Sequence, residues 1–258
     1  MTVLASVSEV LEAFREGRIS REEAERLIDG LRVEMVEDLA RLDLGRSARC
    51  GMPEVVLAEG KETDQLTAIL KRYLEVSGRC IATRVNPEQV KAIEGLCAEL
   101  NAGCRVNEKA RAVVLWTAPP RAKHGGEVGI ITAGTSDIQV AEEARVIAEE
   151  MGCEVRTAYD VGAAGIHRLF PALKDLVGVQ VFIVAAGREG TLPAVVAGLV
   201  DRPVIGVPVS TGYGYMGKGE AALASMLQSC AVLAVVNIDA GFVAGAFAAR
   251  IAEMVASK

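Results

Sequence analysis

Histidine, aromatic residues and paired cysteines are scarce in this chain, and each scarcity limits the kind of site or core that it can build. The 258 residues include only two histidines, His124 and His167, which excludes a histidine-rich metal site. Aromatic residues make up 4% of the chain, so Ala, Val, Ile and Leu must build the core. The six cysteines show no CxxC spacing and therefore predict neither a zinc site nor a disulfide framework.

Long charged runs and long apolar runs are also missing. The net charge of −6 and the absence of a long Lys/Arg run argue against a nucleic-acid partner. No stretch reaches about 18 uninterrupted apolar residues, so we expect no membrane span. The start, MTVLASVSEVLEAFREG, carries Glu early and lacks the charged-then-apolar pattern of a secretory signal. We therefore expect a cytoplasmic protein.

Apolar residues make up 51% of the chain, and their spacing divides it into regions. Apolar positions three and four residues apart predict helices over 5–45, within an N-terminal helical segment of residues 1–50. Residues 51–117 predict a small α/β subdomain with strands near 54–58, 80–85 and 112–116 and helices near 62–76 and 87–101. Proline and glycine in TAPPRAKHGGE indicate a linker over 118–127.

Residues 128–258 predict a single doubly wound α/β domain, which we expect to be the catalytic domain. Five nearly continuous apolar strands alternate with helices, which is typical of a buried parallel sheet. Pro171 should bend or shorten the second helix. Ligands of such sheets bind beyond the carboxyl ends of the strands. The predicted strands are 128–133, 154–159, 180–186, 203–208 and 232–238, and the predicted helices are 138–151, 165–177, 191–200, 219–229 and 241–257.

Two glycine-containing turns follow predicted strands. In GIITAGTSDIQV, Gly134 permits a tight turn and Ser136 or Asp137 can cap the next helix. The free amides of that helix start attract an anion, although ordinary capping explains the motif equally well. In VFIVAAGREGTLP, two glycines flank Arg188 and Glu189. This charged pair at the end of an apolar strand indicates a ligand site, with plain surface charge as the alternative.

Further polar residues follow the remaining strands. YDVGAAGIHRL places Asp160, His167 and Arg168 at one strand–helix junction, where Arg168 can pair with phosphate and His167 can simply pack. PVIGVPVSTGYGYMGKG predicts a mobile cover or an oligomer contact. VNIDAGFVAGAFAARIA puts Asn237 and Asp239 after the last strand. The small residues of the helix that follows suit close packing against another subunit.

Cys230 precedes the last predicted strand, in MLQSCAVLAVVNIDAG. Taken alone, it is more simply explained as a small buried hydrophobe than as a reactive group. Residues that follow strands lie at the carboxyl edge of a parallel sheet, whereas Cys230 would lie at the opposite edge. One strand spans roughly 17 Å. If Cys230 is reactive, we therefore expect an active site shared between subunits.

Several motifs carry a resemblance to a known family. GTSD, GREGTLPAVVAGL, PVIGVPVSTGYG and MLQSCAVLAVVNIDAGFVAGAFAARI resemble the PurE-type carboxylases and mutases of purine synthesis. CGMPEVVLAEGK and YDVGAAGIHRL extend the resemblance over the whole chain to the LarB family of nickel-pincer cofactor biosynthesis. The resemblance implies a five-stranded PurE-like, flavodoxin-like sheet and a homo-octamer.

The resemblance also implies a reaction. The LarB family acts on nicotinic acid adenine dinucleotide, adds CO2 to C5 of the pyridinium ring and cleaves the pyrophosphate. The products are AMP and pyridinium-3,5-biscarboxylic acid mononucleotide. PurE-type enzymes are expected to carry a proton-transferring histidine before a Leu-Pro pair, where this chain has Thr191. This departure disfavours an imidazole carboxylase and favours a functional Cys230.

The resemblance assigns roles to the strand-end residues. Cys230 is implied as the nucleophile and Glu189 as the base that takes the C5 proton. Mg2+ is implied as the cofactor, with Asp137 and Asp239 as ligands, although phosphate contacts and metal ligands are not separable among the Asp and Arg candidates. The implied substrate-binding residues are Gly134, Thr135, Ser136, Asp137, Asp160, His167, Arg168, Gly187, Arg188, Gly190, Thr191 and Asn237.

Two other functions stay open at this point. One is a PurE-like mutase or carboxylase of another phosphorylated heterocycle. The other is a non-catalytic nucleotide-binding module that presents a dinucleotide to a partner.

Overall fold

The computed structural model describes residues 6–36, 40–212 and 214–257, which fold into two compact units. The first unit comprises the described residues up to Val106 together with Val113–Pro119. The second comprises Asn107–Ala112 and the described residues from Pro120 onward. Among the described residues, no helix combines the length and the apolar character needed to cross a bilayer.

The first unit builds a four-stranded sheet from the strands Val55–Leu57, Arg79–Thr83, Ala112–Trp116 and Gly103–Asn107, in that order, and the first two of them run parallel. Leu66, Tyr73 and Leu115 are among the fully buried side chains of its core. The expected strands near 54–58, 80–85 and 112–116 are confirmed, whereas the strand Gly103–Asn107 is not among those that the sequence predicts. The elements are α1 (Val7–Arg15), α2 (Arg21–Asp29), β1 (Glu34–Val36), β2 (Ala40–Leu42), α3 (Arg46–Cys50), β3 (Val55–Leu57), α4 (Thr63–Ser77), β4 (Arg79–Thr83), α5 (Pro87–Glu99), β5 (Gly103–Asn107) and β6 (Ala112–Trp116).

The expected helix over 5–45 is wrong beyond α2. Strands β1 and β2 pair antiparallel there, with Val36 opposite Ala40. Val36 and Leu42 are buried in the core of the first unit, and β1 contacts α4. The apolar spacing of residues 34–42 fits a helix as well as a strand. Packing of these residues on the core of the first unit therefore decides that they form strands. Residue 5 and residues 37–39 of that expectation lie outside the described residues.

The second unit follows the predicted alternation closely. Residues 117–126 form neither helix nor strand, as their proline and glycine content predicts. The predicted helix over 165–177 divides into a 3-10 segment and a short α-helix in which Pro171 lies in the first turn. The elements are β7 (Glu127–Thr132), a 3-10 turn (Thr135–Asp137), α6 (Ile138–Glu150), β8 (Glu154–Ala158), a 3-10 segment (Ala163–Arg168), α7 (Leu169–Asp175), β9 (Val181–Ala186), α8 (Thr191–Ala197), β10 (Val204–Pro208), α9 (Glu220–Leu227), β11 (Ala234–Val235) and α10 (Gly241–Ala256).

The sheet of the second unit is five-stranded and parallel, in the order β11-β10-β9-β7-β8. This is the doubly wound, flavodoxin-like order, so the predicted fold class is confirmed. Every residue of β9 is buried at the centre of the sheet. The carboxyl ends of the parallel strands meet at one edge, which is where the fold places a ligand.

The small residues of α10 do not face another subunit, which corrects the expectation drawn from its sequence. They pack against α6 of the same unit. A Cβ at Gly245 would lie 2.4 Å from the Ala144 carbonyl oxygen, and one at Gly241 would lie 2.3 Å from that of Val140. The two helices therefore approach closely because these positions are glycines.

Candidate active site

A cleft of about 440 Å³ opens at the carboxyl edge of the five-stranded sheet. Turns that follow β7, β8, β9 and β10 form its walls, so the fold brings together segments far apart in the sequence. The position agrees with the ligand site expected for a doubly wound sheet. The lining residues are Ala133, Gly134, Ser136, Asp137, Gly162, Ala163, Ala164, Ala186, Arg188, Glu189, Gly190, Thr191, Leu192, Thr211 and Gly212.

Asp137 is the buried carboxylate of this cleft, with 3% of its surface exposed. Its Oδ2 accepts a hydrogen bond from the Gly134 N–H at 2.8 Å. The Gly187 N–H and the Thr211 hydroxyl also donate to this carboxylate. Burial raises the pKa of Asp137, although these three donors oppose the rise. The carboxylate therefore joins the turns that follow β7, β9 and β10.

Arg188 and Glu189 are exposed on the turn between β9 and α8. Gly190 holds this turn with a φ of +69°, and a Cβ there would lie 2.5 Å from the Ala222 carbonyl oxygen. The turn therefore requires glycine at this position. It presents a carboxylate and a guanidinium to the cleft, as the GREG motif predicts.

The residues predicted after β8 lie outside the cleft lining. Asp160 has a φ of +59° and accepts a hydrogen bond from Arg168 at 2.9 Å. His167 is exposed in the 3-10 segment. In place of these polar residues, Gly162, Ala163 and Ala164 form the wall. Thr135 and Gly187 belong to the turns of the site but are not part of the lining surface.

Asn237 and Asp239 follow β11 and also lie outside the lining. The Asn237 side-chain oxygen accepts from the Ile238 N–H at 2.9 Å. Asp239 has a φ of +55°, and its Oδ1 accepts from the Ser210 N–H at 2.8 Å. The Asp239 carboxylate, which follows β11, therefore stabilises the turn after β10 through its hydrogen bond with Ser210.

Cys230 is the exposed member of the six cysteines, all of which lie in the described part of the chain. It lies between α9 and β11 and does not line the cleft. Because α9 returns the chain to the amino edge of the sheet, Cys230 precedes β11 on the side away from the cleft. The thiol is open to solvent, which excludes the interpretation of Cys230 as a buried core residue.

Comparisons with known proteins assign a family model to each half of the chain. Residues 33–117 match the family model of a LarB/PurE-like N-terminal domain, and residues 127–258 match that of AIR carboxylase. The chain belongs to the AIR carboxylase family. Its N-terminal match confirms the LarB-type arrangement that the motifs predict. Membership of this family supports a carboxylase or mutase type of function.

Individual relatives of this AIR carboxylase family member agree with the domain matches. A protein of Methanocaldococcus jannaschii, described as uncharacterized, is 45% identical over 258 residues, covering 96% of this chain and 98% of the relative. A probable N5-carboxyaminoimidazole ribonucleotide mutase of Methanothermobacter thermautotrophicus is 36% identical over 130 residues, covering 48% of this chain and 37% of that protein. The corresponding mutase of Thermotoga maritima is 38% identical over 90 residues, with 33% and 50% covered.

The carboxylates of this family member do not fit a magnesium site held by the protein alone. Within the described residues, no group of three or more His, Cys, Asp or Glu side chains could hold a metal ion. Asp137 already accepts from two backbone amides and a hydroxyl, and Asp239 accepts from Ser210.

Sequence reasoning missed part of the cleft. The sequence does not mark the wall formed by Gly162, Ala163 and Ala164, because the neighbouring Asp160 and Arg168 carry the stronger chemical signal. Thr211 and Gly212 lie in the PVSTGYG motif, which by its composition predicts a cover or an oligomer contact. The signal that could have found them is their position directly after β10, where the fold places ligand contacts.

Proposed function

We propose that this protein carboxylates nicotinic acid adenine dinucleotide at C5 of the pyridinium ring and hydrolyses its pyrophosphate. The products are AMP and pyridinium-3,5-biscarboxylic acid mononucleotide, a precursor of the nickel-pincer cofactor. The observation that carries the proposal is Thr191 on the wall of the cleft. PurE-type enzymes are expected to carry their proton-transferring histidine at this place, before the Leu-Pro pair.

The cleft offers a carboxylate instead of an imidazole. Neither of the two histidines lines it. The Nε2 of His124 lies 3.6 Å from the Sγ of Cys153, and its Nδ1 accepts from the Gly126 N–H at 3.1 Å, so this ring has a structural role. His167 is exposed outside the lining. Glu189 is therefore the base that the cleft presents to a ring proton.

An electron-poor pyridinium ring does not attack CO2, so a nucleophile must first add to it. A thiolate that adds at C4 breaks the aromaticity and leaves an enamine whose C5 is nucleophilic. C5 then attacks CO2 and forms the carbon–carbon bond. Glu189 takes the C5 proton, and the electron pair of that bond restores the ring as the thiolate leaves. Cysteine suits both roles because its thiolate is a strong nucleophile and a good leaving group.

Cys230 is the thiol that we assign to this step. It lies before β11, whereas Glu189 follows β9 at the other edge of the sheet. The five-residue strand β10 lies between β9 and β11 and spans roughly 17 Å. That distance is too long for a thiolate to reach a ring held beside Glu189 of the same chain. We therefore propose that a second copy of the chain supplies Cys230 to each cleft.

In the hydrolysis, water attacks one phosphorus of the pyrophosphate and the bridging oxygen leaves with the other phosphate, so the step requires positive charge near the phosphates. Arg188 lies on the cleft wall beside Glu189 and provides it. The wall of Gly162, Ala163 and Ala164 carries no acidic side chain that would repel a phosphate. Mg2+ enters this proposal as an ion that the dinucleotide brings with its own phosphates, where it neutralises part of their negative charge.

The test is to incubate the protein with nicotinic acid adenine dinucleotide, 13C-bicarbonate and Mg2+, followed by mass spectrometry. We expect AMP and a labelled mononucleotide that has gained one CO2. A parallel incubation with N5-carboxyaminoimidazole ribonucleotide tests the mutase function named for several relatives. Conversion of that substrate without labelling of the dinucleotide would refute the proposal. Binding of the dinucleotide without turnover would instead support a non-catalytic module.

A further inference from the structure

One buried side chain joins three turns of the cleft. Asp137 accepts from the Gly134 N–H after β7, from the Gly187 N–H after β9 and from the Thr211 hydroxyl after β10. Two of these three donors belong to the backbone. Thr211 supplies the third from its side chain, so a substitution can remove this contact alone.

The turns after β9 and β10 touch through their backbones. A Cβ at Gly187 would lie 2.9 Å from the Oδ1 of Asp137 and 3.1 Å from the Oγ1 of Thr211. A Cβ at Gly212 would lie 2.4 Å from the Gly187 carbonyl oxygen. Two of these distances are below 3.0 Å and leave no room for a side chain, so the two turns lie in close contact at these glycines. Because Asp137 accepts from both turns as well, we expect a shift of Thr211 to displace Gly187 and the turn that carries Glu189.

The turn after β10 is also held at the neighbouring residue. Ser210 donates its backbone N–H to the Oδ1 of Asp239 at 2.8 Å. Its side chain is exposed and does not line the cleft. Removal of the Ser210 hydroxyl therefore leaves this backbone contact in place, which makes Ser210 a matched control for Thr211.

We propose that Thr211 is a positioning residue for the carboxylation: through Asp137 it fixes the turn of Gly187, and so holds Glu189 at the reacting ring. This inference rests on the proposed function. Thr211 gains and loses no proton in the reaction. Its hydroxyl keeps the turn in the arrangement from which the Glu189 carboxylate can reach the C5 proton.

The test is Thr211→Val, which removes the hydroxyl and keeps the shape of the side chain. Because misplacing a catalytic group by about 1 Å can cost on the order of 100-fold, we expect kcat to fall roughly tenfold and KM to change less than about threefold. Thr211→Ser should restore most of kcat, and Ser210→Ala should leave kcat unchanged. Thr211→Ala carries the same test if the valine variant fails to fold.

A second measurement asks whether Thr211 acts through Glu189. In a Glu189→Gln background, the Thr211→Val substitution should add little further loss of kcat. Full additivity, a rise in KM without a loss of kcat, or a serine variant as slow as the valine variant would each overturn the inference. A parent protein that fails to carboxylate the dinucleotide refutes the proposed function instead, so the two failures are distinguishable.

Discussion

A shared active site is the prediction that separates the proposed reaction most sharply from other uses of this fold. Cys230 precedes β11, and Glu189 follows β9 at the carboxyl edge of the sheet. If each cleft uses Glu189 of its own chain and Cys230 of a neighbour, two defective variants can complement each other. Cys230→Ala lacks the nucleophile, and Glu189→Gln is slowed at proton removal after the carbon–carbon bond has formed.

The expected recovery follows from counting the copies that contribute to each site. In an equal mixture of the two variants, half of the clefts carry an intact Glu189. Half of those clefts receive an intact Cys230 if the neighbours assort at random. About one quarter of the sites are then complete, independent of the size of the closed oligomer. Recovery should approach that fraction of parent activity, well above either variant alone.

The assay is carboxylation of the dinucleotide after the variants have been dissociated together and reassembled. Native mass spectrometry confirms that hybrid oligomers have formed, and each variant reassembled alone provides the baseline. Hybrid oligomers with no activity above that baseline would show that Cys230 and Glu189 act within one chain. The deduction from strand order would then be wrong, and the segment before β11 would have to reach its own cleft.

Three further predictions concern single groups. Cys230→Ala should abolish carboxylation, and it should leave the urea unfolding midpoint nearly unchanged because the side chain is exposed. Cys104→Ala is the control. Product formation by the Cys230 variant would contradict the mechanism. Glu142→Gln should lower the free energy of unfolding at pH 7 by about 2 kcal/mol. Burial raises the pKa of Glu142. Hydrogen bonds from Asn107 and Tyr159, together with the positive charge of Arg145, outweigh this effect and hold the pKa below its ordinary value. This stability is present above the ordinary carboxyl pKa and is lost as the pH falls through the lowered one, so parent and variant should converge in acid. Finally, calorimetric titration of Mg2+ should show binding only with the dinucleotide present; tight binding to the protein alone would contradict the role given to the substrate phosphates.

The sheet of the second unit was predictable from sequence because buried parallel strands are nearly continuous apolar runs. That pattern does not report how many residues pair with a neighbour. The apolar run over 232–238 predicts a long last strand, yet only Ala234 and Val235 pair with β10. Val232 is 93% exposed. The strand lies at the edge of the sheet, where one neighbour instead of two fixes its length.

The cleft was predictable only in part, because its shape depends on the paths of the turns. Gly134, Arg188 and Glu189 follow strands directly, and the fold brings them to the lining as expected. Asp160 follows a strand just as closely, but its positive φ and its pairing with Arg168 place it outside the lining. Strand order locates the edge of the sheet, whereas backbone conformation decides which side chains line the cleft.

The location of the small residues of α10 changes the argument for assembly. Their close packing against α6 occupies the face that the sequence assigned to another subunit. The opposite face of α10 carries the exposed side chains of Val243 and Phe247. Cys230 is itself flanked by Leu227 and Val232, which are 65% and 93% exposed. Apolar side chains that the fold leaves exposed beside Cys230 are available for contact with a second copy of the chain. A copy that covers Leu227 and Val232 would bring the thiol to a boundary between chains, as the proposed shared active site requires.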